Sequence, residues 1–211
     1  MTAVLWGLVA GFAALDWYAV WRGARRLEWL AKPLTMVALI GAAWSMGAPD
    51  TASGRWLLAA LAFGLLGDIA LLSESEPRFL AGLAAFLVGH LALVAAFLPV
   101  GPQSLAAALP AVGLVLLLVV VVGRPVLVSS RREGGAGLGG AVAAYMLAIG
   151  AMVVTAWGTE RPLVALGASV FMVSDAVLAH VRFVRPWAPS RIVVITTYHV
   201  GQALIVVGLL G

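Results

Sequence analysis

The sequence predicts an all-α, polytopic membrane protein with eight transmembrane helices. Three observations carry that expectation. Of the 211 residues, 63% are hydrophobic and 10% charged, where a soluble domain carries about a quarter charged residues. The mean hydropathy is +1.08, and apolar runs of about twenty residues recur throughout, each long enough to cross a bilayer as helix. The connections between runs are short and punctuated by Gly, Pro and charge. None could house a soluble domain, so one eight-helix transmembrane domain is expected over residues 1–211, with any site built from helices and their ends.

The first span, 2–21, has no basic n-region or small-residue cleavage site and is read as a retained helix. It closes at RGARRLEW. The second, 31–48, opens on Lys32-Pro33, proline being suited to a helix's first turn, and ends at GAPDTASGR. The third, 54–73, holds LLGDIALL and closes at SESEPR; the fourth, 78–98, holds Gly89-His90 and closes at LPVGPQS. The fifth, 104–123, leads into the basic connection RPVLVSSRREGGAGLGG. The sixth, 138–157, contains Tyr145 and ends at GTERP; the seventh, 161–181, contains MVSDAVLA and ends at VRFVRPWAPSR. The eighth, 190–210, carries Tyr198, His199, Gly201 and Gln202.

Charge orients the chain. Arg22, Arg25, Arg26, Lys32, Arg78, Arg124, Arg131, Arg132, Arg182, Arg185 and Arg191 fall at one side, and only Arg55 and Arg161 at the other. That asymmetry places the odd-to-even connections in the cytoplasm and both termini outside. Trp21, Trp29, Trp56, Trp157 and Trp187 lie near span ends, as an aromatic belt requires. The pI near 10.3 therefore reflects topology, and no nucleic-acid partner is expected. Cysteine is absent, which excludes disulfides, thiolate nucleophiles and Cys-based zinc sites. Arginine exceeds lysine twelve to one, a bias associated with GC-rich, bacterial genomes, so a bacterial inner membrane is the expected location.

Asp68 and Asp175 sit deep in otherwise lipid-soluble helix. A carboxylate in hydrocarbon is costly and persists mainly where it is paired, solvated or used. The third and seventh spans carry them in matched contexts, and each is followed by a Pro-containing turn and a Gly-bearing span. A parallel duplication of four spans and chance resemblance between apolar helices both account for this pattern.

Helical rise places Asp68 and Asp175 roughly 9–10 Å, and Tyr145, Tyr198 and His199 roughly 10–13 Å, below the inner surface. Lys32 sits at the rim. These residues share one level in the cytoplasmic leaflet, which points to a single site. The alternative for each aspartate is an interhelical hydrogen-bond anchor, and for each tyrosine a packed ring with a satisfied hydroxyl. Asp16 lies near a span end, within reach of water or an arginine, and reads as structural. His90 is deeper, roughly 18 Å from the surface, and reads equally as a core histidine or a site member; His180 reads as solvated. His90, His199, Asp68 and Asp175 are of types that bind zinc, yet no paired-His helix motif supports a metal. Lys32, the only lysine, suits a phosphate as a compact point charge or is a snorkelling interface residue. Arg182 stands seven residues after Asp175 on the same helix face, where it could hold a headgroup phosphate.

At these residues the chain resembles the YhhN/TMEM86 family of membrane proteins, which includes the lysoplasmalogenases. The resemblance rests on KPLTMVAL at 32–39, LLGDIALL at 65–72, FLAGLAAFLVGHLALVAAF at 79–97, AAYMLAIGAM at 143–152, GASVFMVSDAVLAHVRF at 167–183 and ITTYHVGQALIV at 195–206. It departs at His199, where an aromatic residue is expected more often, and at Leu93, near a usual tyrosine. The resemblance implies eight membrane helices and hydrolysis of the vinyl ether of lysoplasmalogens to a fatty aldehyde and glycerophosphoethanolamine or glycerophosphocholine. It implies Asp68 and Asp175 as catalytic carboxylates, with Lys32, His90, Tyr145, Tyr198 and Gln202 in the same polar cavity.

Vinyl ether hydrolysis needs one acid, to protonate the alkenyl carbon distal to oxygen, and one anion or base. Two interacting carboxylates in low dielectric tend to share a proton and meet that need with no thiol, metal or redox cofactor. The partners expected are a lysophospholipid and the bilayer, the chain being a monomer by default. The alternatives are another lysolipid or ether-lipid hydrolase, a proton-coupled transporter, and a non-catalytic lipid-binding protein.

Overall fold

The computed structural model describes residues 1–73 and 75–211; Glu74, within the expected connection SESEPR, lies outside the described residues. The described chain is helical: α1 (Thr2–Arg22), α2 (Arg25–Ser45), α3 (Ala52–Leu71), α4 (Glu76–Phe97), α5 (Leu105–Leu118), α6 (Arg124–Gly158), α7 (Pro162–Phe183) and α8 (Ser190–Leu210). Local chemistry sets several boundaries. Gly23 ends α1 in the left-handed conformation, φ 67°, returning its N–H to the helix carbonyls. Thr51 and Ser104 cap α3 and α5 by accepting from the N–H groups of Gly54 and Ala107.

Six helices among the described residues are long and apolar enough to cross a membrane: α1, α3, α4, α7, α8 and the continuous stretch Leu105–Gly158. This is a polytopic α-helical membrane protein. Two expectations differ from what is found. Helix α2 begins at Arg25 and not near residue 31, so Lys32 and Pro33 sit inside the helix and not in its first turn. Its first turns carry Arg25, Arg26, Glu28 and Lys32, and it is not among the six apolar helices.

The second difference concerns the fifth and sixth spans, expected to be separated by residues 124–137. Helix instead continues through a π turn, Val119–Gly123, into α6. Pro125 explains the π turn: its ring would clash with the carbonyl four residues back, at Val121, and a widened turn relieves the clash. The helical path is interrupted only at Gly134 (φ −125°, ψ 21°) and Gly135 (φ 67°, ψ −157°). The sixth residue of α5 is Pro110, and the helix runs on through it to Leu118.

The chain forms two compact units, Met1–Pro99 with Val206–Gly211, and Val100–Ile205. In the first, α1 packs antiparallel on α2, with Ser45 Oγ donating to Thr2 Oγ1 at 3.1 Å and Gly41 facing Leu5. Helices α3 and α4 approach closely at glycines. A Cβ at Gly67 would lie 2.6 Å from the Phe86 ring, and one at Gly82 would lie 2.8 Å from Leu71. In the second unit, α7 and α8 cross at Gly167 and Gly201. A Cβ on Gly201 would lie 2.9 Å from the Gly167 carbonyl oxygen and the Phe171 nitrogen. Such small-residue contacts let backbones meet where hydrocarbon surrounds them.

Candidate functional site

A carboxylate that must live among apolar side chains needs a partner within its own helix packing. In each unit the aspartate finds one on a neighbouring helix. In the first, Lys32 Nζ of α2 lies 3.1 Å from Asp68 Oδ1 of α3, with side-chain exposures of 15% and 1%. In the second, Tyr145 of α6 donates its hydroxyl to Asp175 Oδ2 of α7 at 2.5 Å. Asp68 is buried; Lys32, Tyr145 and Asp175 are half-buried.

The two aspartates are framed alike. Gly89 of α4 faces the Ala60 carbonyl oxygen and the Gly64 nitrogen, eight and four residues before Asp68. Gly201 of α8 faces the Gly167 carbonyl oxygen and the Phe171 nitrogen, eight and four residues before Asp175. The residue after each glycine, His90 or Gln202, is buried and polar. The Gly67 position before Asp68 is matched by Ser174 before Asp175, whose Oγ donates to the Val194 carbonyl of α8 at 2.9 Å. The partners differ in chemistry. Asp68 has an ammonium, a positive charge; Asp175 has a phenol, a neutral hydrogen-bond donor.

Along α6 and α7 the Tyr145–Asp175 bond is the middle of three polar rungs. On one side Trp157 Nε1 donates to Ser169 Oγ at 3.0 Å. On the other, Arg182 donates to Glu133 from Nη2 to Oε1 at 2.5 Å and from Nη1 to Oε2 at 3.2 Å. The pairs 157–169, 145–175 and 133–182 run in antiparallel order along the two helices, the last lying beyond the break at Gly134–Gly135.

The other expected site residues fall as follows. Tyr198 and His199 are buried in α8, the Tyr198 ring 5.3 Å from that of Phe171 in an edge-on contact. Gln202 is buried one turn further, its Oε1 without a hydrogen-bond partner among the described residues. His90 is buried in α4. Arg182 is on the expected face of α7, but its contact is an ion pair with Glu133. Reading the sequence missed that residue, because it falls in the stretch taken as a basic loop. An acid inside a run of arginines was the one signal available.

Asp16 corrects an expectation. It is fully buried at 0% exposure, not at the edge of water. It continues the α1 stripe of Thr2, Leu5, Val9 and Ala13, whose first two members touch α2. Distance from a helix end gives depth only; the helix face decides burial. His180 is half-buried and lines an apolar groove with Leu118, Val122, Val173, Val177 and Trp187.

Comparison with known proteins agrees over nearly the whole chain. The model of the YhhN family matches residues 27–209. Over 197 residues the chain is 32% identical to "Lysoplasmalogenase TMEM86B" of Homo sapiens, covering 90% of this chain and 79% of that protein. No solved structure matches.

Proposed function

The chain belongs to the YhhN family, and on that premise we propose that it is a membrane-embedded lysoplasmalogenase. It hydrolyses the vinyl ether of an alkenylglycerophosphoethanolamine or -choline to a fatty aldehyde and the glycerophosphodiester. The observation that carries the reading is the pair of partnered aspartates, Asp175 with Tyr145 and Asp68 with Lys32.

Protonation of the alkenyl carbon distal to oxygen is the slow step. We assign it to Asp175, whose phenol partner is neutral, and not to Asp68, whose ammonium partner favours the carboxylate. Transfer forms a carbon–hydrogen bond and leaves an oxocarbenium-like cation. Water adds at the carbon bearing the ether oxygen and loses a proton, and the hemiacetal collapses to aldehyde and alcohol. We assign charge compensation for the cation to Asp68, which its ion pair with Lys32 keeps anionic. Fixed charge in a water-poor environment counts for more than in bulk water. The cationic loop ends belong in the cytoplasm and the termini outside.

Aldehyde release by the purified protein from lysoplasmenylethanolamine tests the assignment. Wild type turns over, and Asp68→Asn and Asp175→Asn fold normally without turnover; wild-type activity in either variant contradicts it. One observation favours a second reading, a proton-coupled carrier: the π turn at Val119–Gly123 and the break at Gly134–Gly135 are interruptions of the kind transporters use. Proton-coupled uptake into vesicles without aldehyde release would select it.

A further inference from the structure

The lysolipid reading gives the headgroup phosphate to Arg182, and the ion pair on the α6–α7 face adds Glu133 beside it. Arg182 lies seven residues past Asp175, two turns along the same face and roughly 10 Å away. A glycerol with its phosphate ester is of that length, so a substrate whose alkenyl group reaches Asp175 brings its phosphate to Arg182. The guanidinium also lies over the Phe183 ring at 4.9 Å, a contact that keeps it in place when its ion pair opens.

Glu133 adds what a phosphate site alone would not need. It holds both Arg182 nitrogens, yet the two side chains are 34% and 45% exposed. An ion pair that open to solvent contributes little to stability, so a ligand offering the same charges in exchange can open it. Ethanolamine and choline headgroups carry one anion and one cation, the complement of this arginine and glutamate. We infer that Arg182 and Glu133 form the headgroup subsite, Arg182 taking the phosphate and Glu133 the ammonium. Glu133 is then the residue that selects zwitterionic lysolipids. An anionic headgroup, a bare phosphate monoester, gains nothing from Glu133 and meets its charge, a repulsive element that sharpens selection.

The inference rests on the lysolipid reading above, so its test separates binding from turnover. Binding of lysophosphatidylethanolamine and of lysophosphatidic acid, ester lipids with no vinyl ether, is measured on the full-length protein in neutral detergent. Aldehyde release from the vinyl ether counterparts is followed in parallel. Wild type is expected to prefer the ethanolamine lipid by about two- to fivefold, the scale of one ion pair this open to solvent. Glu133→Gln abolishes the preference, and Arg182→Gln weakens both lipids. The exchanged pair, Glu133→Arg with Arg182→Glu, keeps an ion pair between α6 and α7. A purely structural bridge would be restored by it, whereas a headgroup subsite would not recover its preference. An unchanged preference in Glu133→Gln, or its return in the exchanged pair, overturns the inference. Selective binding without aldehyde release from wild type supports the subsite and sinks the hydrolase reading alone.

Discussion

An aspartate in hydrocarbon persists only where a partner meets it, so the partners of Asp68 and Asp175 say more than their depth does. The Tyr145 hydroxyl meets the charge that Asp175 develops as it gives up its proton, a hydrogen bond worth about 1.5–3 kcal/mol. Tyr145→Phe is therefore expected to fold normally and to lose about 10- to 100-fold in kcat for aldehyde release, by the same figure. Lys32 behaves differently. Lys32→Met leaves Asp68 as a buried charge without its cation and should lower thermal stability in detergent by about 3–5 kcal/mol. The double variant with Asp68→Asn should recover much of that loss, which melting curves of the three proteins would read. Both aspartates, the lysine and the tyrosine were legible in the sequence, because charge and phenol stand out in apolar helix. Asp16 and Glu133 were not. The burial of Asp16 depends on which face of α1 meets α2, and Glu133 gains its meaning from Arg182, forty-nine positions away.

At the scale of elements, glycine decides how closely helices meet. A methyl group on Gly201 would press on the backbone of α7 at 2.9 Å, whereas Gly113 has nothing within 4 Å of its virtual Cβ. Overpacking of this kind costs about 1–3 kcal/mol. Gly201→Ala should therefore lower the melting temperature, and Gly113→Ala should leave it unchanged or raise it; equal melting of the two would contradict the crossing described for α7 and α8. Most helix ends were readable from Gly, Pro and capping residues. The connection between the fifth and sixth spans was not. Its polar, Gly-rich composition reads as a loop, yet residues 124–133 continue as helix and only Gly134 and Gly135 depart. Composition reports affinity for water, and a helix that leaves the bilayer can stay helical in water. The π turn before Pro125 was hidden for a related reason: proline marks a strained backbone but not how the strain is relieved.

At the scale of the molecule, apolar composition alone was enough to class the chain as a polytopic membrane protein. The frames around Asp68 and Asp175 match, with a glycine of the next helix over the backbone eight and four residues earlier. The partners differ, lysine in one unit and tyrosine in the other. The cysteine-free sequence makes sidedness simple to test. With both termini outside, Gly211→Cys reacts with an impermeant maleimide in intact cells, and Trp187→Cys only after permeabilisation. The opposite pattern would invert the assignment drawn from the arginines.

The most direct test of carboxylate-driven vinyl ether hydrolysis is turnover of lysoplasmenylethanolamine in deuterium oxide, with mass analysis of the product. Wild type should yield a fatty aldehyde with one deuterium on the carbon next to the carbonyl, and Asp68→Asn and Asp175→Asn should yield none. Aldehyde without that deuterium, or undiminished release from either folded variant, would contradict the account.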